Sequence, residues 1–564
     1  MLRDMMRGDM MLREVMTRVS RRPAPGPSFV FGARHRPPST VHRPRLFALA
    51  AAAASCWLAA AGAADLRIGL SADVTTFDPH FVAAQPNLNA QHHVFDSLVH
   101  VDERGRPIPV LATWRTPDPL TWEFTLRQGV KFHDGSELTT EDVDYSLERP
   151  LRIKGSPGGF STYVKSIVAR EIVNRHTIRL KTATPHGAML QDLAEVMIVS
   201  KKAAQDATGA DFDSGKAAIG TGPYKLVRFA RGSRIELARH DAYWGGKLPW
   251  DRVTLVIIPG DPVRTASLLS GDLDAIENVP TADLARLKKH SGFRLERAIT
   301  WRTILLHLDQ VRDQPPGVLS SSGKPLARNP LKDVRVRRAL SKAINRRAIA
   351  ERIMEGLALP AGNIVSPSVF GHNPAVKPEA YDPDGAKKLL AEAGFPDGFA
   401  VTVAAPNNRY VNDEQIAQTV AQMFSRIGVR TKVEAMPVAA YFGKARNREF
   451  GIALLGWGSL AADMALRSLV ATANPDKGYG AWNWAGYSNP QLDRLVARSL
   501  GTVDPAAREA VAREAAALAA SEVAFIPLHY QVATWAMKST LSYAARTDEF
   551  TFAHHFRPRA AGEK

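Results

Sequence analysis

Thiol chemistry is nearly absent from this chain. Its 564 residues include a single cysteine, Cys56, which lies inside an apolar run near the N-terminus. A chain processed beyond that run has no disulfide, no cysteine nucleophile and no thiolate metal site. Past residue 65 there is no further hydrophobic run long enough to span a bilayer. There is no run of five basic residues, no zinc-finger spacing and no other nucleic-acid-reader pattern, although the net charge is +17. No G-x-S-x-G sits at a strand–helix junction and no H-E-x-x-H occurs, which argues against a secreted hydrolase, the rival reading from another class.

The basic excess is uneven. Residues 1–64 hold ten Arg, no Lys and three acids, a net +7, which leaves +10 spread over the other 500 residues. Dispersed charge of that kind fits a solute-facing protein better than a nucleic-acid binder. Hydrophobic residues make up 45% and charged residues 23%, with 10 Trp and 22 Phe. That composition, at this length, supports several packed domains.

The stretch HRPRLFALAAAAASCWLAAAGAADLRIGL has a positive flank at Arg43 and Arg45, an uncharged segment over 46–64 and a small-x-small pattern at Ala61-Gly62-Ala63. This is a secretory signal peptide layout, with cleavage near Ala63 or Ala64. The alternative is a membrane anchor. A lipoprotein box at Cys56 lacks its aliphatic residue, since Ala53 stands there. Residues 1–42 have no clear periodicity, so 1–64 is set apart as an N-terminal extension and signal peptide. The body is expected in the periplasm.

Strand and helix patterns alternate along the body, which indicates α/β lobes. Asp382-Pro383 opens a helix that Gly394 ends, and Asp504-Pro505 opens an Ala-rich helix that leads into a strand through Ile526. VNDEQIAQTVAQMFSRIGV reads as a helix stopping at Gly428. LKDVRVRRALSKAINRRAIAERIMEG spaces Val336, Leu340, Ile344 and Ala348 at i+4 steps, which predicts one helix ending near Gly356.

The acidic segment LRQGVKFHDGSELTTEDVDYSLER, residues 126–149, has the look of a site. Residue by residue it reads as architecture. Trp122, Phe124 and Leu126 alternate on one face of a strand. Asp134-Gly135 is a turn pair, and Thr139 with Asp142 forms a variant capping box ahead of Val143 and Leu147. His133 and Asp134 as metal ligands would need two more partners, and none stands at a recognisable spacing.

With LATWRTPDPLTWEFT before it, the same segment resembles the signature of the family 5 extracellular solute-binding proteins, the receptors of peptide, nickel and opine ABC importers. GTGPYKLVRFARGSRIELARHDAYWGGKLPWDRV, VRTASLLSGDLDAI, PLKDVRVRRALSKAINRRAI, YDPDGAKKLLAEAGFPDGF, YSNPQLDRLV and FIPLHYQ follow in the family's order, so the likeness covers residues 65–557. It implies a type II, two-lobed α/β periplasmic binding protein clamp with an additional third domain. Lobe I would be 65–95 with 190–305 and 525–564, the extra domain 96–189, and lobe II 306–524. Such a receptor breaks no bond and needs no cofactor or metal. It works as a monomer, binds no nucleic acid, holds a peptide or similar small charged solute between its lobes, and delivers it to a membrane permease and ATPase complex. A nickel chelate, an opine or another non-peptide solute is the alternative ligand.

Site residues follow from the same resemblance. Peptide-binding relatives carry an Asp three residues after the Gly-Trp tryptophan, here Trp457, but this chain has Leu460. Asp463 and Arg467 lie just beyond, in a pattern similar to the glutathione and oligopeptide branch. They are expected to meet a ligand cation and carboxylate, or else to form an ordinary i,i+4 surface pair. Arg409 is a candidate bidentate carboxylate clamp, and Tyr410 a cleft wall. Arg302 stands at the lobe crossing. Trp482, with Trp484, either stacks on a ligand or packs. The adjacent pairs His92-His93 and His554-His555, read as strand residues, point to opposite faces and so do not chelate jointly.

Overall fold

The computed structural model describes residues 64–102, 106–156 and 159–559. The stretch up to residue 63, which the sequence reading assigns to an N-terminal extension and signal peptide, lies outside the described residues. Two long antiparallel strands, Phe293–Leu308 and Ile526–Lys538, run through the middle of a 12-stranded sheet. On one flank the sheet continues through Ala275–Glu277, Asp65–Leu70 and Arg252–Ile257. On the other it continues through Ile452–Trp457 and Phe399–Pro406. Each flank is partly parallel. Asp65–Leu70 runs parallel to both neighbours, and Phe399–Pro406 runs parallel to Ile452–Trp457 and Arg430–Met436. Parallel neighbours need crossovers, which helices such as Asp413–Ser425 supply.

A separate four-stranded antiparallel sheet comprises Ala112–Asp118, Thr121–Leu126, Ile167–Asn174 and Thr177–Thr182. Trp122, Phe124 and Leu126 are buried as the alternation predicts. Glu123 between them is buried as well, because it accepts from Arg115 at 2.7 Å and Arg179 at 2.8 Å. Gly135 takes φ +87° in the turn. Asp142 accepts from the Thr139 backbone N–H at 3.0 Å at the start of the helix Thr140–Arg152. His133 is structural too: its Nε2 lies 3.0 Å from the Gly222 carbonyl oxygen.

Most of the helix signals act as read. Asp382 accepts from Gly385 N–H at 2.9 Å and Asp504 from Ala507 N–H at 2.8 Å. The single helix expected through Ile344 and Ala348 is broken instead. Val334–Ala343 ends, and Asn345 caps a new turn by accepting from Ala348 N–H at 2.9 Å. An Asn side chain competes with the backbone for such donors, and here it overrides the i+4 periodicity.

Asp463 and Arg467 sit on the helix Ala462–Leu469, and both are buried. They neither face solvent nor pair with each other. Arg467 Nη2 donates to Asp192 Oδ1 at 2.9 Å, and His186 Nε2 lies 2.8 Å from Asp192 Oδ2. Asp463 accepts from Arg508 Nε at 2.8 Å and Nη2 at 3.0 Å, and from Ser499 Oγ at 2.7 Å. Arg508 in turn donates to the Gly187 carbonyl at 2.7 Å and to Gln191 Oε1 at 3.1 Å. The two pairs therefore clamp the segment 187–194, including the helix Met189–Ala194, from chain almost three hundred residues downstream. Burial disfavours the Asp192 carboxylate, but Arg467 holds its pKa below the usual range.

The histidine pairs are not on strands, so the opposite-face argument does not apply to them. His92 caps the helix Gln85–Gln91, and His554 and His555 belong to the turn Ala553–His555. The pairs meet: His93 and His554 have ring centroids 6.2 Å apart, and His92 stacks edge-on against His100 at 4.6 Å. Burial lowers His93 to about 4 and His555 to about 3. His307 and His529, on the two long strands, are lowered to about 4 and about 3 by burial alone, and neither ring nitrogen of either has a hydrogen-bond partner.

Two outcomes follow. Arg467→Ala leaves Asp192 buried without its main counter-charge, so it should destabilise the fold by about 3–5 kcal/mol in urea unfolding. The histidines bind protons more readily unfolded, with a pKa near 6.5, than folded. Their contribution is therefore complete above pH ~6.5 and is lost as pH falls toward 4 and below, at about 3 kcal/mol per buried histidine. Calorimetry should show the melting temperature falling steeply from pH 6.5 to 4, with a shallower fall in His529→Leu.

Candidate functional site

Parallel strands tend to present ligand sites at their carboxyl ends, where loops leave the sheet. Both flanks of the large sheet do so here, around one cavity of about 1100 Å³. From one flank, the chain after Asp65–Leu70 contributes Ser71 to Asp73, Thr75 and Thr76, and Pro259 follows Arg252–Ile257. From the other, Asn408 to Tyr410 follow Phe399–Pro406, Val438 follows Arg430–Met436, and Trp457 ends its own strand.

The long central strands add a third contribution. Their register shifts between the pairs Ile299–Val532 and Thr303–Tyr530. The extra residues of this irregularity include Trp301 and Arg302, which both line the cavity. Bulges commonly re-aim side chains in this way beside functional sites. Thr303 pairs with Trp457, so the Gly-Trp-Gly strand end lies next to the bulge. Its glycines permit close packing. A Cβ on Gly456 would lie 2.6 Å from the Tyr410 ring, and one on Gly458 2.5 Å from the Trp301 indole nitrogen.

One wall is aromatic. Trp457 and Trp482 have ring centroids 5.2 Å apart, Trp482 and Trp484 5.3 Å, and Phe442 meets Trp482 edge-on at 6.0 Å. Tyr410 is fixed by its hydroxyl, which donates to the Gly456 carbonyl at 3.1 Å.

The charged lining groups differ in how far they are committed. Arg302 Nε donates to Glu549 Oε2 at 2.9 Å, and Glu549 also accepts from Thr300 Oγ1 at 2.8 Å and Gln531 Nε2 at 3.0 Å. That cation is neutralised within the protein. Arg409 is different. Asp413 accepts from the backbone N–H of Arg409 at 2.9 Å and of Tyr410 at 3.0 Å, which holds the loop. The Arg409 guanidinium itself lies 5.1 Å from the Tyr410 ring centroid and has no carboxylate partner among the described residues. Burial, then repulsion by Arg302, lowers its pKa.

Five of the seven sequence-derived candidates thus meet around this cavity: Trp457, Trp482, Arg409, Tyr410 and Arg302. Asp463 and Arg467 are not among its lining residues, because their charges are spent on Arg508 and Asp192. Sequence reasoning passed over Trp301, Tyr163 and Glu195, which line it. Glu195 had a legible signal, since it is an acid set in the apolar run Leu-Ala-Glu-Val-Met-Ile-Val over 193–199.

Comparison with known proteins places the chain's family and fold. Residues 106–478 match the model of the bacterial extracellular solute-binding proteins, family 5. The glutathione-binding protein GsiB of Salmonella typhimurium is 29% identical over 499 residues, covering 86% of this chain and 92% of the relative. The periplasmic binding protein DppA of Helicobacter pylori, solved with the peptide STSA, superposes with a TM-score of 0.75 at 23% identity, over 88% of this chain and 98% of its own. NikZ of Campylobacter jejuni, solved with Ni(L-His), also gives 0.75, at 21% identity over 87% and 99%. The fold is therefore the α/β type II periplasmic binding protein clamp with its added domain, and the chain belongs to the family 5 bacterial extracellular solute-binding proteins.

Proposed function

We propose that the protein is the periplasmic receptor of an ABC importer and that it captures a small carboxylate-bearing solute, a peptide or a compound of that kind, for delivery to a membrane permease. Among the described residues, no helix is long and apolar enough to cross a membrane. One observation carries the ligand reading. The cavity presents a guanidinium, Arg409, with no carboxylate partner among the described residues, beside an aromatic wall. A desolvated cation without a counter-charge is costly, and a ligand carboxylate removes that cost by bidentate pairing. Trp457 and Trp482 supply apolar area for the rest of the solute. A volume near 1100 Å³ stands at the upper end of small-molecule sites, enough for a short peptide with accompanying water.

The lobes proposed are 65–95 with 190–305 and 525–564, then 306–524, with 96–189 as the extra domain. The division is supported by cavity residues arriving from both sheet flanks and from Tyr163. In this reading the two long central strands are the hinge, and ligand binding stabilises the closed form. The receptor catalyses nothing. Asp463 and Arg467 are positioning residues that hold the segment 187–194 rather than groups that touch the ligand.

The non-peptide reading, an opine or a nickel chelate, has its own observation. Leu460 stands where peptide-binding relatives carry an Asp, and it is buried and apolar.

Thermal shift against di- and tripeptides, glutathione, opines and nickel–histidine should reveal a ligand that raises the melting temperature. Arg409→Gln should weaken that ligand at least tenfold by calorimetry while leaving the unliganded melting temperature undiminished, because it removes an unpaired charge. Undiminished affinity would remove Arg409 from the site. A panel with no stabilising member would sink the receptor reading.

A further inference from the structure

Glu195 follows the helix Met189–Ala194 and lines the cavity. It is half-buried, and its carboxylate has no hydrogen-bond or ion-pair partner among the described residues. Every other buried or half-buried acid around it is committed. Asp192 is held by Arg467 and His186. Asp548 accepts from Arg546 Nε at 2.9 Å. Among the other lining acids, Asp213 accepts from Thr76 Oγ1 at 2.8 Å and Phe77 N–H at 2.7 Å, and Asp73 is exposed and accepts from Gly232 N–H. The cavity therefore offers one uncommitted half-buried acid, Glu195, and one uncommitted half-buried guanidinium, Arg409.

We propose that Glu195 is the cation-binding pole of this cavity, the partner of a protonated amine on the ligand, so that Glu195 and Arg409 together select a zwitterionic solute. This rests on the receptor reading above and specifies its ligand. Leu460, just past Trp457, is buried and apolar and offers an amine no charge, so a counter-charge comes from another element. Tyr163 also lines the cavity, adding an aromatic surface suited to a cation.

The surroundings make the site selective. Burial, with Asp192 and then Asp548 opposing a further negative charge, pushes the Glu195 carboxyl up to about 7. An arriving ammonium restores the ionised form, whereas a neutral amide in its place leaves the carboxyl unpaired. The bracing by Arg467 and Arg508 keeps this segment in place, so Glu195 need not reorganise to meet the ligand.

The test uses two matched pairs: reduced glutathione and its N-acetyl form, and trialanine and N-acetyl-trialanine. Titration calorimetry at pH 7.5 compares wild type, Glu195→Gln and Arg409→Gln. The wild type should bind at least one free amine ten or more times more tightly than its acetylated partner. Glu195→Gln should lose that preference, by weakening the free amine and sparing the acetylated compound. Arg409→Gln should weaken both. Glu195→Gln should keep the unliganded melting temperature, because no partner is lost. A preference that survives in Glu195→Gln, or equal binding by the wild type of the two members of every pair it binds, overturns the assignment and leaves the receptor reading standing. Wild-type protein that binds none of the four overturns the peptide reading, and this assignment with it.

Discussion

A charge removed from water must meet its opposite, and that constraint organises this molecule. Much of the packed body obeys it, and where it does not, as at buried Arg337 and Arg346, backbone carbonyl oxygens take the place of a carboxylate. Arg149 pairs with Asp78, Arg467 with Asp192, Arg508 with Asp463 and Arg302 with Glu549, all of them buried. Each pair ties together elements far apart in sequence, so each fixes tertiary geometry as well as balancing charge. Such pairs add little net stability over well-packed apolar groups, but half of one is expensive. Inside the cavity the rule is suspended at Arg409 and Glu195. On the proposed reading, these are the two places where a ligand supplies the missing halves.

The same economy explains why one cation counts and another does not. Arg302 and Arg409 both reach the cavity and both approach Tyr410. Glu549 takes the first in a bidentate grip, and Glu549 itself sits in a left-handed backbone conformation at φ +65°. Arg302 thus furnishes a fixed, neutralised floor, and its residual field raises the cost of leaving Arg409 alone.

Much of this was legible in the sequence where the signal is local. Caps at Asp382 and Asp504, the Asp134-Gly135 turn and the alternation through Trp122 depend on near neighbours, and they form as read. The fold class came from motif order, Trp457 from the same resemblance, and the Arg409 loop from its place between a strand and a helix. Asp463 and Arg467 misled because their partners, Arg508 and Asp192, are remote. Sequence spacing placed the two on one helix face but could not reveal that the face is buried. The break at Asn345 escaped because an i+4 pattern continues through it. Glu195 is marked in the sequence as a lone acid in an apolar run, but that signal does not by itself reveal the cavity beside it.

The strand Ile526–Lys538 is the last of the large sheet in chain order, yet it occupies the sheet's middle. It pairs with Phe293–Leu308 on one side and with Ala275–Glu277 on the other. Contacts spanning more than two hundred residues make for slow closure. The two flanks can gain structure early, but they cannot be joined until nearly the whole polypeptide is available. In a protein built this way, the two walls of the cavity come together only once this strand is in place.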